Sequence, residues 1–234
     1  MKILSIDTSS KICSVSILED TTVILEKHTN NEKTHSQNLM PLIDELFKDT
    51  NLTLDNIDLL ACSQGPGSFT GIRIGVATVK AFADSLNIPS IGVSSLDSLT
   101  YNSQNMGVIC SLIDAKKNNV YSEIFENILN SAFSHIVKRN ASFENIEDLL
   151  AEIKSIEPEY DITFVGDGAI IYKDIILKYL PSSKFVENNN LSASKVGFAG
   201  FYNYLNQTAK EPMPLYLRKS EAEKKMEEKL NETK

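Results

Sequence analysis

The sequence predicts an α/β protein built from a duplicated unit, and three observations carry that prediction. Strand-type alternation and helix-type apolar stripes take turns along the chain, the pattern of a mixed sheet with helices packed on it. The opening pattern also recurs: "GVICSLIDAKKNNVYSEIFE" (Gly107 to Glu126) repeats "MKILSIDTSSKICSVSILED", with Asp114 on Asp7, Ile113 on Ile6, Val120 on Cys13 and Ile124 on Ile17. Between the copies, "SLTYNSQNM" (Ser98 to Met106) is polar and unpatterned, which marks a boundary.

The first element is a strand carrying Ile3, Leu4 and Ile6, followed by a polar turn and a second strand in which Cys13, Val15 and Ile17 alternate. "TTVILEKH" reads as a third strand. In "HSQNLMPLIDELFKDT" the residues Leu39, Leu42, Ile43, Leu46 and Phe47 fall at helical spacing, with Asp44, Glu45 and Lys48 outside the stripe. Pro41 stands early in that helix, where a missing N–H costs least. A strand ("IDLLACSQ"), a glycine turn with a long helix ("GPGSFTGIRIGVATVKAFAD") and a strand ("PSIGVSS") complete the first half. After the second hairpin, "FENIEDLLAEIKS" is a helix striped by Ile146, Leu149, Leu150 and Ile153. "DITFVGDGAI" is a strand ending at a glycine turn, "IYKDIILKYL" a short helix, and "SASKVGFAGFYNYLN" a Ser-capped helix with a small, aromatic-rich face. The tail after Arg218 is charged and polar, a solvated or frayed helix.

At 234 residues and 42% hydrophobic content the chain can bury real cores. No apolar run approaches the roughly 20 residues of a membrane helix, so the expectation is a cytoplasmic protein with no membrane contact. Cys13, Cys62 and Cys110 each lie in an apolar segment, which points to buried thiols rather than a disulfide framework or a zinc cluster. A net charge of −8 argues against a stand-alone nucleic-acid binder, because such affinity rests on cations that neutralise phosphates.

The supply of acid–base groups is small. His28, His35 and His135 have no metal-ligand spacing, and His35 stands at a helix start, where a helix-end hydrogen bond is expected. "IDTSS" offers an aspartate and three hydroxyls in a tight turn. Asp7, Thr8, Ser9 and Ser10, with Gly65 and Gly67 of the glycine turn, could meet a phosphate or its metal; the other reading is a hairpin turn held by its own Asp and Ser side chains. "GPGSFTG" is not a phosphate loop, since no Lys-Ser or Lys-Thr follows its last glycine. The helix it launches carries an apolar arc of roughly 220°, wider than one sheet needs. Gly71, Gly75 and Thr78 form a small-residue strip in that arc, open to another helix; the alternative is that the helix from His35 to Asp49 covers the excess.

Five segments, "ILSIDTSSKICSVSIL", "THSQNLMPLIDEL", "SQGPGSFTGIRIGVATVKAFA", "IDAKKNNVYSEIF" and "PLYLR", resemble the bacterial TsaB family, also called YeaZ, in order and spacing up to about Arg218. The resemblance implies the actin, heat-shock ATPase and sugar-kinase fold: an RNase H-like subdomain over 1–103, a thinner one over 104–218 whose last helix can pack back on the first, and a charged tail over 219–234. It implies a role in making threonylcarbamoyladenosine next to the anticodon of tRNA, as a non-catalytic scaffold without cofactor or metal. The implied partners are a TsaD-like transferase paralogue and a TsaE-like ATPase, with a homodimer when the partner is absent and tRNA reached indirectly. The metal-binding histidines of the transferase fall on Ser95 and Leu99, and Lys116 stands where the family often has arginine. Family helices pack into a bundle across the partner interface, which assigns that interface to Gly71, Ile74, Gly75, Thr78, Phe82, Leu39 and Met40. The alternative within the same superfamily is a small-molecule kinase or ATPase, with phosphates held by Asp7 to Ser10 and the second hairpin.

Overall fold

In the computed structural model, residues 1–29, 31, 33–103, 107–127, 135–156 and 161–218 are described. The 219–234 tail therefore lies outside the described residues. Two five-stranded sheets share one plan. The first is built from β1 (Lys2–Asp7), β2 (Cys13–Glu19), β3 (Thr22–Thr29), β4 (Leu59–Gly65) and β5 (Ser90–Ser94), in the order β3-β2-β1-β4-β5. β1 pairs antiparallel with β2 and parallel with β4. The second contains β6 (Gly107–Asp114), β7 (Asn119–Asn127), β8 (His135–Asn145), β9 (Thr163–Val165) and β10 (Lys184–Phe185), ordered β10-β9-β6-β7-β8. Replacing each strand by its counterpart turns one order into the other.

Both faces of β1 are covered, so it reads as a continuous buried run from Ile3 to Asp7. Alternation sends Leu4 and Ile6 to one side, against α1 (His35–Thr50) and α2 (Phe69–Leu86). Ile3 goes to the other, against α7 (Ala193–Leu205). α7 lies flat because of its glycines: a Cβ at Gly197 would overlap Leu18 and stand 3.0 Å from Ser5 Oγ. In the second sheet α4 (Ile146–Ile156), α5 (Asp167–Ile171) and α6 (Lys173–Tyr179) cover one face, where Leu149, Leu150, Phe164, Ala169 and Ile176 pack. The thiols of Cys13, Cys62 and Cys110 are buried, and burial raises all three above the ordinary thiol range.

Three features depart from the sequence reading. Phe143 to Asn145 end an edge strand, so the helix starts at Ile146; β8 lacks clean alternation because Arg139 turns inward to Glu144 and Glu152. The segment read as an unpatterned boundary, Ser98 to Met106, whose residues 104–106 lie outside the described residues, opens on the last turn of a short helix, α3 (Ser95–Thr100), capped by the Ser94 side chain. Its hydroxyls hide it, since Ser95 and Ser98 are fully buried while bonded within the fold.

The third departure is in the repeat itself. Asp7 pairs with Ser14, whereas Asp114 pairs with Val120. Leu4 and Ile6 face the helices of the first half, and Cys110 and Leu112 face those of the second. β6 therefore matches β1 one residue earlier than the gapless alignment states, and the extra residue is absorbed in the second hairpin turn. By register and face, Ile113 occupies the counterpart of Asp7, and Asp114 falls one place beyond.

Gly197→Val should lower stability by about 1–3 kcal/mol, because added methyls have no room between α7 and the first sheet. Urea unfolding checks this, and an unchanged midpoint would show that α7 does not pack as described.

Candidate functional site

The glycine turn "GPGSFTG" and the "IDTSS" turn are one construction. Gly65 and Gly67 adopt φ values of 101° and 157°, and the Gly65–Pro66 peptide is cis. A Cβ on Gly67 would overlap the Ser9 carbonyl, one on Gly71 would overlap the Thr8 carbonyl, and one on Gly75 would stand 2.5 Å from Thr8 Oγ1. Thr8 Oγ1 donates to Gly71 O at 2.7 Å, Ser68 N donates to Ser9 O at 2.7 Å, and Ser68 Oγ caps the helix by accepting from Gly71 N. The missing side chains let α2 start in contact with the β1–β2 backbone.

The six residues read as a possible phosphate contact are placed as follows. Asp7 is wholly buried, and its Oδ1 accepts from Ser9 N at 2.8 Å and Ser9 Oγ at 2.6 Å. Thr8 and Ser9 are buried with their hydroxyls committed inside the turn, and Gly65 is buried as well. The turn is held by its own side chains, the alternative that composition left open. Only Ser9, Ser10 and Gly67 of the six border open space. Burial pushes the Asp7 carboxyl above its ordinary range, and the Ser9 bonds only partly oppose it.

That open space is a cleft of about 610 Å³ between the two hairpin turns. His35 borders it and places Nε2 2.8 Å from Ser10 O, so its bond goes to the facing turn and not to its own helix end. The opposite wall carries Asp114, Lys116, Tyr121, Asp167, Leu191 and Arg218. Lys116, Lys117 and Asn118 take left-handed φ values of 68°, 55° and 57°, an uncommon run for non-glycine residues. The turn folds Lys116 back, and its Nζ sits 2.5 Å from Asp114 Oδ2. Burial opposes ionisation of Asp114, but bonds from Lys116 and from Tyr172 outweigh it and hold this carboxyl below the usual range.

Arg218 and Asp167 are cleft residues that the sequence reading missed. "PLYLR" was the available signal for the first. This segment straps both halves: Leu215 N donates to Gln64 O at 2.7 Å, Tyr216 stacks on Phe69 at 4.8 Å, and Arg73 Nε donates to Tyr216 OH at 2.6 Å. Arg218 then reaches Ala115 O at 3.4 Å and lies over Phe143.

The assigned interface splits in two. Gly71, Gly75 and Leu39 are buried within the first half, so the small-residue strip serves the Thr8 turn and is not open to a partner. Ile74 and Phe82 are half-buried and pack on the core shared with α1; Thr78 is half-buried too. Met40, at 50% exposure, faces out, as do Ala77 and Ala81. α1 thus covers part of the excess arc, and an outer face remains.

Residues 23–226 match the family model described as TsaD, tRNA N6-adenosine threonylcarbamoyltransferase. The chain is 32% identical to the tRNA threonylcarbamoyladenosine biosynthesis protein TsaB of Bacillus subtilis, over 96% of this chain and 97% of that one. The chain belongs to the TsaB (YeaZ) family. It is a protein of tRNA threonylcarbamoyladenosine biosynthesis. YeaZ from Pseudomonas aeruginosa superposes with a TM-score of 0.76 at 23% identity, covering 92% of this chain and 99% of that one. An inorganic polyphosphate/ATP-glucomannokinase from Arthrobacter superposes at 0.50 with 9% identity, covering 88% and 99%. The chain shares its fold with both of these proteins. In this TsaB-family chain Ser95 and Leu99 lie one turn apart on the inner face of α3; Ser95 Oγ is 2.6 Å from Ser63 Oγ, and Leu99 is 1% exposed. Among the described residues no helix is long and apolar enough to cross a membrane.

Asp7→Asn should fold and be the more stable protein at pH 8, by about 1 kcal/mol or more, since it removes a buried charge and keeps the acceptor for Ser9. The Asp7 carboxyl is raised in the fold, so its contribution is favourable at low pH and is lost as the pH climbs through the folded value. The advantage of the variant should therefore shrink toward pH 4. Thermal unfolding across that range checks it; a variant less stable at pH 8 would overturn the reading of Asp7 as buried strain.

Proposed function

We propose that the chain is a non-catalytic subunit that binds and stabilises a TsaD-like transferase during threonylcarbamoyladenosine synthesis, with a TsaE-like ATPase acting alongside. The observation that carries this reading is the packing of Ser95 and Leu99. At the positions where the transferase holds its metal, this chain has a hydroxyl bonded to Ser63 and a leucine in the core. A leucine offers no donor, and a lone serine is a poor ligand. The exposure of Met40, Ala77 and Ala81 on adjoining helices supports a docking face there, with Ile74, Thr78 and Phe82 at its base. The same face serves a homodimer when the transferase is absent. The net charge of −8 favours contact with tRNA through the partner. A kinase or ATPase would need phosphate-holding groups from both hairpins, and Ile113 as the counterpart of Asp7, with Thr8 and Ser9 committed internally, weighs against that alternative.

The test is a double variant, Met40→Asp with Ala81→Arg, which places charges on exposed positions and leaves the core alone. It should unfold at the wild-type temperature, lose at least about tenfold in capture of the transferase, and lower tRNA modification in the reconstituted reaction. A folded variant with undiminished capture would remove the interface from this face. Hydrolysis of ATP by the isolated wild-type chain would favour the kinase alternative.

A further inference from the structure

Among the described residues Arg218 has no carboxylate partner, although it is half-buried in the cleft wall and lies 5.8 Å over the Phe143 ring. Its neighbours there are neutral: the Ala115 carbonyl stands 3.4 Å from Nη1, and the Tyr121 phenol is beside the guanidinium. Its buried Nε has no hydrogen-bond acceptor among the described residues. A guanidinium partly withdrawn from water and short of acceptors has met its desolvation cost without forming its strongest bonds, which are to anions.

The cleft's surface and charges select the anion. Its volume of about 610 Å³ lies within the roughly 300–1,000 Å³ of small-molecule sites. Its floor is apolar: Leu99, Ile113, Ala115, Tyr121 and Leu191 belong to the buried cluster on which Phe143 packs, so apolar surface runs up to the guanidinium. The titratable groups on its walls are Lys11, His35, Asp114, Lys116, Tyr121, Asp167 and Arg218. Lys116 is paired with Asp114. His35 Nε2 faces the Ser10 carbonyl, which a neutral imidazole satisfies by donating. Lys11 and Arg218 are left against Asp167, a surplus of one positive charge. The first-half hydroxyls are engaged, since Ser9 Oγ donates to Asp7, Ser10 Oγ exchanges bonds with Ile12 and Ser68 Oγ caps α2.

We propose that the cleft binds an apolar monocarboxylate, with its carboxylate on the Arg218 guanidinium and its body on the floor of Leu99, Ile113 and Leu191. A carboxylate brings one charge and two oxygens, which the planar guanidinium matches with parallel bonds. A phosphoryl group brings nearly two charges and three acceptor oxygens to a site with one surplus charge and committed hydroxyls, and Asp167 repels the second charge. Met40, Ala77 and Ala81 do not border the cleft, so the site stands apart from the proposed docking face.

Chemical-shift titration of the full-length wild-type chain with hexanoate and with hexanamide tests this, because the two share a body and only the acid is charged. Hexanoate should shift the resonances of Ile113, Ala115 and Leu191 and bind at least about tenfold more tightly than the amide. Arg218→Gln should abolish that preference, and Arg218→Lys, which keeps the charge and loses the fork, should retain part of it. Thermal unfolding shows whether each variant is folded, and the wild-type pair decides where one is not. An acetylated peptide ending in leucine, run against its C-terminal amide, identifies the source: a matching preference assigns the site to a chain end, and a preference confined to hexanoate assigns it to free acids. Equal affinity of the wild-type chain for hexanoate and hexanamide overturns the proposal, as does a failure of hexanoate to shift the cleft resonances at all. So does a folded Arg218→Gln protein with the full preference, or tighter binding of inorganic phosphate or magnesium ATP than of hexanoate.

Discussion

The close approach of α2 to the β1–β2 turn is the constraint on which the rest of the molecule depends. At Gly71 three elements converge: a Cβ there would overlap the Thr8 carbonyl and stand 2.9 Å from the His35 ring of α1. With no side chain at Gly67 or Gly71, the Ser9 carbonyl can accept from Ser68 N at the head of the helix and Ser68 Oγ can accept from Gly71 N, while Thr8 Oγ1 donates to Gly71 O. The consequences run outward. α2 is fixed against β1, α1 is fixed against α2, and the outer faces of both helices become one surface. The same junction consumes the hydroxyls that a phosphate would need. The glycine turn therefore builds a platform, and the cleft beside it inherits few free donors from the first hairpin.

The second half repeats a close approach on the same plan, since a Cβ on Gly166 would overlap the Leu112 carbonyl. Its hairpin carries one more residue than the first, and two helices start against it: Asp167 at the head of α5 accepts from Asp114 N at 3.0 Å, and Ile146 N of α4 donates to Asn118 O at 2.9 Å. The slack is taken up by three left-handed residues, Lys116, Lys117 and Asn118, each at a steric cost that glycine would have avoided. Their curl returns Lys116 to Asp114. The cleft is thus lined by a turn locked to a helix on one side and a self-paired hairpin on the other.

Sequence reasoning recovered the architecture where pattern and burial coincide. The paired hairpins, α1, α2, α4 and α7 are all visible in apolar spacing, because one face of each is dry. It failed where burial is polar or where two patterns overlap. α3 was missed because Ser95 and Ser98 fill its inner face and find partners in Ser63 and Ser95 rather than in water. β8 was missed because its inward Arg139 breaks alternation, a charge tolerated there only because Glu144 and Glu152 meet it. The repeat was visible, but its register was not: an aspartate on an aspartate is a persuasive match, and only strand pairing shows that Ile113 holds the equivalent place. For the site, the small-residue strip was read as open to another helix, and in the structure Gly71 and Gly75 lie against Thr8. Which neighbour approaches cannot be read from a helical wheel, since Thr8 lies 63 residues from Gly71.

The strap from Lys210 to Arg218 joins these separate observations. It bonds to β5 through Gly92 and to β4 through Gln64, stacks Tyr216 on Phe69 at the start of α2, and buries Leu217 among Leu96, Leu99 and Leu191. Its last described residue, Arg218, stands in the cleft wall. Tyr216, bonded to Arg73 on the exposed side of α2, thus stands two residues before Arg218 in the cleft wall. A partner seated on α1 and α2 would press on one end of a short extended segment whose other end borders the cleft. The strap thus touches the α2 face, the cleft wall and α3, whose Leu96 and Leu99 pack with Leu217.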